Sequence, residues 1–152
     1  MSAVKEGPRA QVIITEYMIL DSQEFELMVR RAFAEKVPAK FRDELENVDI
    51  VVEPWPPEPY RGSRKTLLGL FEGVPKTAPY NMFRGVQPSK ITLFEQPMLA
   101  AAENLQELEK LILEVLMHEL AHYFGYNEQQ MIYLDARLRK KLGRKTGDKW
   151  TF

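Results

Sequence analysis

Residues 118–128 read His118-Glu119-Leu120-Ala121-His122-Tyr123-Phe124-Gly125-Tyr126-Asn127-Glu128, and they hold both of the chain's histidines. Residues four apart on a helix lie almost above one another, so the two imidazoles point into one patch of space. That spacing suits two ligands of one zinc ion. Glu119 is the next residue round that face, where a carboxylate can reach a water on the metal's open side and act as general base. The reaction implied is metal-assisted hydrolysis, most often of a peptide bond. Gly125 stands where a helix that must end sharply needs a left-handed residue. The chain can then turn back and return Glu128 to the metal. Position 128 is where the metzincin-type pattern carries its third ligand, and a carboxylate is a proper zinc ligand. H-E-x-x-H also occurs by accident, with both histidines solvated or satisfied by carboxylates. The surrounding sequence weighs against that.

Upstream, Asn104-Leu105-Gln106-Glu107 reads as a capping box that starts the helix. Leu113, Leu116, Met117, Leu120 and Phe124 share one face, while Leu108, Leu111, Ile112 and Val115 line the histidine side one or two turns earlier. A helix apolar nearly all round is buried in a domain, and His and Glu on such a helix need partners. Downstream, Asn127 to Gln130 is a second capping box. The helix it opens carries Met131, Leu134, Leu138 and Leu142 on one face and closes at Gly143.

Towards the N-terminus, Gln11 to Leu20 is apolar and partly β-branched, a short strand or a helix lead-in. Asp21 or Ser22 is an N-cap for a helix striped by Phe25, Met28, Val29, Ala32 and Phe33, which Pro38 ends. Val48 to Glu53 reads as a strand. The proline-rich stretch from Pro54 through Lys65 is a loop, since proline cannot continue in a sheet. Leu67 to Phe71 is a second strand, closed by Gly73 and Pro75. Residues 76–89 form a long irregular loop, and Ile91 to Glu95 is a third strand stopped by Pro97.

The whole chain of 152 residues fits a single domain, with residues 1–10 and 144–152 as loose tails. A formal net charge of -1 argues against a general polyanion binder. The absence of cysteine excludes disulfides, thiolate metal sites and thiol catalysis. No run approaches membrane-span length and the N-terminal residues carry no apolar signal core, so the expectation is a soluble cytoplasmic protein. The basic end (Arg137, Arg139, Lys140, Lys141, Arg144, Lys145 and Lys149) reads first as a solvated face, with an interaction patch as the lesser alternative.

With helix, strands and metal motif placed, the chain resembles the small bacterial zincin-like family of minimal metalloproteases. The similar stretches are Phe25 to Pro38, Asn47 to Glu53, Leu67 to Pro75, Ile91 to Phe94 and His118 to Gly125, within roughly residues 22–135. The strand-loop phrase ending in Gly73-Val74-Pro75 makes the match more specific than H-E-x-x-H alone. The resemblance implies an α+β zincin-like fold: a small sheet of three to four strands packed with an N-terminal helix, a buried metal-binding helix and a C-terminal helix. It implies His118 and His122 as zinc ligands and Glu119 as base. Members commonly carry Asp at the position of Glu128, one methylene shorter, and the plain alternative for Glu128 is an exposed helix-start carboxylate.

These readings point to a Zn2+-dependent metallopeptidase acting on a peptide or protein substrate, with nucleic acid an improbable partner and no membrane association. Tyr123, Tyr126, Tyr80 and Arg84 are candidates for stabilising the developing oxyanion. Ile91 to Glu95 is the expected edge strand for substrate addition. The rivals are a non-enzymatic zinc-binding interaction domain of the same fold, a hydrolase of another amide or of RNA, and a nucleic-acid binder using the basic end.

Overall fold

The computed structural model describes residues 11–15, 18–58, 66–77, 88–144 and 150–151. The expected tail over residues 1–10, most of the proposed loop over 76–89, and Tyr80 and Arg84 lie outside the described residues. The β-branched run after Gln11 settles as a strand, β1 (Gln11–Thr15), paired antiparallel with β2 (Met18–Asp21). Asp21 then caps α1 (Ser22–Arg31). Its side chain accepts from the Glu24 N–H at 2.9 Å, and the Glu24 carboxylate accepts from the Asp21 N–H at 3.0 Å. Phe25 and Val29 bury the inner face of α1. The chain leaves α1 through a wide π turn (Ala32–Lys36), and Pro38 heads a single further turn, α2 (Ala39–Arg42).

The main sheet has the order β3-β6-β5, built from β3 (Val48–Glu53), β5 (Gly69–Glu72) and β6 (Ser89–Phe94). β6 is parallel to β3, with Ile50 opposite Ile91, and antiparallel to β5, with Phe71 opposite Ile91. The segment from Ile91 is therefore the central strand and not an edge. The reason is its burial on both faces: Ile91 and Leu93 are 0% exposed, and Thr92 and Phe94 are 2% exposed. Such a run belongs between neighbours. The expected single strand from Leu67 to Phe71 divides at Leu68. β4 (Thr66–Leu67) pairs in parallel with β7 (Trp150–Thr151), and β5 joins the main sheet.

Glu95 also departs from the strand reading. It opens a short helix, α3 (Glu95–Ala101), and Pro97 sits in the first turn, where a missing N–H breaks no intrahelical bond. The Glu95 side chain is buried and accepts a hydrogen bond from Ser22 Oγ at 3.0 Å. Burial pushes its carboxyl above the ordinary 4.5, with the Ser22 hydroxyl pulling the other way.

The helix that carries the histidines, α4 (Leu105–Tyr123), packs against β5 and β6, against α1, the π turn and α3, and against α5 (Glu128–Leu142). Leu108, Leu111, Ile112, Val115 and Leu116 join Phe25, Val29, Leu68, Leu93 and Leu99 in one core. Leu113, Met117 and Leu120 join Val37 and Ile91 in another, flanked by Phe41, Phe71, Phe124 and Leu138. Each fully buried leucine contributes roughly 1.5–3 kcal/mol relative to an exposed one, so this helix anchors the fold. Asn104 caps α4 by accepting from the Glu107 N–H at 2.9 Å. The Glu107 carboxylate does not close the expected box; it meets Arg144 at 3.2 Å and Lys110 at 3.5 Å.

Two basic residues near the C-terminus are not part of a solvated face. The buried Glu114 of α4 lies 3.0 Å from Arg144 Nε and 3.4 Å from Arg139 Nε. An ionised carboxylate in a core requires such partners. Arg144 is held by Glu107 and Glu114, and Trp150–Thr151 pairs with β4. Among the described residues no helix is long and apolar enough to cross a membrane.

Glu95 supplies a stability test. Its folded-state pKa is raised, so the folded chain holds the proton more tightly than the unfolded chain does. Stability from this group is greatest at low pH and falls as pH rises from the unfolded value through the folded one. Gln at this position stays neutral and still accepts from Ser22. Thermal melts between about pH 4 and pH 8 are expected to show Glu95→Gln melting above the parent at the upper end and level with it near pH 4.

Candidate metal centre

The last two turns of α4 present His118, Glu119 and His122 together. The two imidazoles stand edge to face with ring centroids 4.9 Å apart. His118 is only partly exposed, and its Nδ1 lies 2.9 Å from Asp135 Oδ2 and 3.2 Å from Oδ1. Burial lowers the pKa of His122, and neighbouring His118 adds to that, so the ring favours the neutral form a metal ligand needs.

Glu119 is 1% exposed, and its Oε1 has no hydrogen-bond partner among the described residues. Burial pushes its carboxyl up to about 7; His118 and the Phe71 backbone N–H draw it down, and Asp135 adds a smaller upward push. The Phe71 contact shows how strand β5 lies across the carboxylate. Gly69 makes that approach possible. A Cβ there would stand 2.5 Å from Val115 Cγ1, 3.3 Å from Glu119 Cγ and 3.4 Å from Glu119 Oε1.

Beyond the histidines α4 ends as the sequence requires. Gly125 takes φ 79°, and the Gly125 and Tyr126 N–H groups close the turn on the carbonyls of His122 and Ala121, each at 3.0 Å. Asn127 and Gln130 form the expected capping box, at 2.8 Å in both directions. Helix α5 then packs back against α4. A family profile for zincin-like metallopeptidases matches residues 45–138, more than half of the chain.

The chain belongs to the zincin-like metallopeptidase family. No curated protein matches it. The matched span of this zincin runs from just before β3 into α5 and includes every residue of the site described above. Family membership implies a metal, and the residues fit one: two adjacent imidazoles, one engaged through Nδ1 by a carboxylate, beside a buried carboxylate with an unpartnered oxygen.

His118, Glu119 and His122 are brought together. Glu128 is the first residue of α5 and is exposed, and among the described residues no three His, Asp or Glu groups converge closely enough to hold a metal ion. Tyr123 is turned away from the site, its hydroxyl accepting from the Glu46 N–H at 3.2 Å and donating to the Glu46 carbonyl at 3.4 Å. Sequence reasoning passed over Asp135, although a signal was present. Met131, Asp135, Leu138 and Leu142 recur at helical spacing, so a carboxylate interrupts the buried stripe. Gly69, inside a strand, was likewise a sign of close approach by another element.

The Gly69 contact can be tested by stability. Gly69→Ala drives a methyl into Val115 and is expected to destabilise the zincin by about 1–3 kcal/mol in urea unfolding. Combining it with Val115→Ala should recover part of that loss, whereas strictly additive losses would show that Val115 is not the obstacle.

Proposed function

We propose that this chain is a zinc-dependent peptidase in which His118 and His122 hold the metal and Glu119 is the general base. The observation that carries the reading is Glu119: a buried carboxyl near pH 7, one oxygen unpartnered, beside a histidine pair on the same helix. Glu128 is proposed as the third ligand. It stands three residues beyond the Gly125 reversal, in the first turn of α5, and its side chain is exposed.

Zinc bound there supplies an acidified water and a polarised substrate carbonyl. Glu119 accepts a proton at Oε1 and returns it to the leaving amine, and a carboxyl poised near neutrality serves both transfers. The low exposure of Glu119 keeps bulk water from competing for that proton. The substrate is a peptide or protein. Strand β5 flanks the sheet and reaches Glu119 through Phe71, so an extended substrate backbone lying alongside β5 would pass the base. This replaces the strand from Ile91 in that role. The alternative reading is a non-enzymatic zinc-binding interaction domain of the same fold, which a filled fourth coordination position and no proteolysis would favour.

Metal analysis of the purified chain is expected to give about one zinc per molecule, lost below roughly pH 5–6 and absent from the His118→Ala/His122→Ala variant. Glu119→Gln should retain zinc while hydrolysis of a peptide library falls about 10²–10⁴-fold. A Glu119→Gln chain as active as its parent removes the mechanism; a zinc-loaded parent with no hydrolysis favours the interaction domain. Glu128→Ala should bind zinc more weakly, and unchanged affinity would exclude Glu128 as a ligand.

A further inference from the structure

The zinc reading rests on residues of α4 and the first turn of α5. A further contact, deeper along α5, bears on how that centre is held. Asp135 directs both carboxylate oxygens at a single atom, His118 Nδ1, at 2.9 and 3.2 Å. A carboxylate only accepts, so Nδ1 must carry the proton. The neutral ring then carries its lone pair on Nε2, the nitrogen through which it would bind a metal. The contact is sheltered, with the two side chains 13% and 18% exposed. Asp135 is itself fixed by its place in the stripe of α5, between Met131, which is buried, and Leu138, which flanks the core.

We propose that Asp135 is the positioning residue of the metal centre, selecting the Nδ1–H tautomer of His118 and fixing its ring plane so that Nε2 is presented to the zinc. The proposal rests on the metal reading given above. The geometry separates this role from direct ligation. Both oxygens engage one ring nitrogen, and Asp135 does not complete a converged three-group site among the described residues. A carboxylate behind a ligand histidine restricts ring rotation and makes the imidazole a stronger donor. It also ties α5 to α4 beside the histidines, so the helix that begins at Glu128 is held in register with them.

The test uses the full chain, its Asp135→Asn and Asp135→Ala variants, and three readouts. The first is zinc affinity by competition with a chromophoric chelator. The second is nitrogen–proton correlation NMR of the zinc-free protein, in which only two imidazoles give signals because the chain has 2 histidines. The third is the visible spectrum of the cobalt-loaded protein. The parent is expected to show His118 in the Nδ1–H form. Asp135→Ala should lose that preference and bind zinc about 10–100-fold more weakly. Asp135→Asn keeps an accepting oxygen without the charge and should fall between the two. Its cobalt spectrum should match the parent's, because the ligand set is unchanged.

Unaltered tautomer and zinc affinity in a folded Asp135→Ala chain would overturn the proposal and leave the metal reading standing. A cobalt spectrum of changed coordination in Asp135→Asn would also overturn it, by making Asp135 a ligand. Should Asp135→Ala fail to fold, Asp135→Asn carries the same comparison. A parent that binds no zinc, or binds it equally after loss of both histidines, ends the metal reading and this proposal together.

Discussion

Burial of α4 on every side is the constraint from which the rest of the structure follows. Its apolar residues face the sheet, α1, α3 and α5 in turn, so the helix must be enclosed for the chain to fold. Enclosure places the helix's own charged groups in the interior, and the two buried carboxylates of α4 meet different fates. Glu114 is met by Arg139 and Arg144, which pull against the upward push of burial and fasten the end of α5 to α4. Among the described residues no lysine or arginine pairs with Glu119, which draws on a backbone N–H from β5 and the nearby His118 ring. Burial raises both carboxyls, but at Glu114 two arginines pull against it, whereas at Glu119 the opposing pull comes from the His118 ring and a backbone N–H. Burial is what raises Glu119 towards neutrality, a value that suits proton transfer.

Strand β5 connects this electrostatic situation to the sheet. Its glycine lets its backbone settle against Val115 and Glu119, and its other neighbour, β6, is locked in the middle of the sheet by burial on both faces. Glu119 is therefore bounded on one side by a flanking strand whose position the whole core determines. A peptide added beside that strand would lie along it, which is how a small sheet can align an extended chain.

Helix α5 closes the other side. The left-handed Gly125 reverses the chain, the Asn127–Gln130 box restarts it, and the apolar stripe beginning at Met131 lays it along α4. Asp135 reaches His118 because that stripe sets the rotation of α5. One short hairpin thus supplies the two histidines, Glu119 and the carboxylate behind His118. Compactness of this kind suits a small domain, in which few elements remain for building a site.

Much of this was legible in the sequence for a physical reason: local spacing maps directly onto local geometry. His118, Glu119 and His122 share a helix face because of 3.6-residue periodicity, and Gly125 and the Asn104, Asp21 and Asn127 caps act within a few residues of themselves. The α+β zincin-like class followed from those elements together with the family resemblance. What the sequence left undecided depended on partners far along the chain. Periodicity shows that the segment from Ile91 is buried, but not that β3 and β5 flank it, so its reading as an edge was reversed by the sheet order. The run after Leu67 split because its two halves found different partners. Arg144 and Arg139 looked like a solvated end until the buried Glu114 drew them in. Asp135 was one polar residue in an apolar stripe until α5, packed against α4, placed it on His118. The sequence by itself determined which residues share a helix face and where each helix starts and stops, because those are short-range steric and hydrogen-bonding facts. Only the tertiary structure decided which strand lies over Glu119 and which carboxylate stands behind His118, because both depend on distant segments meeting in a shared core.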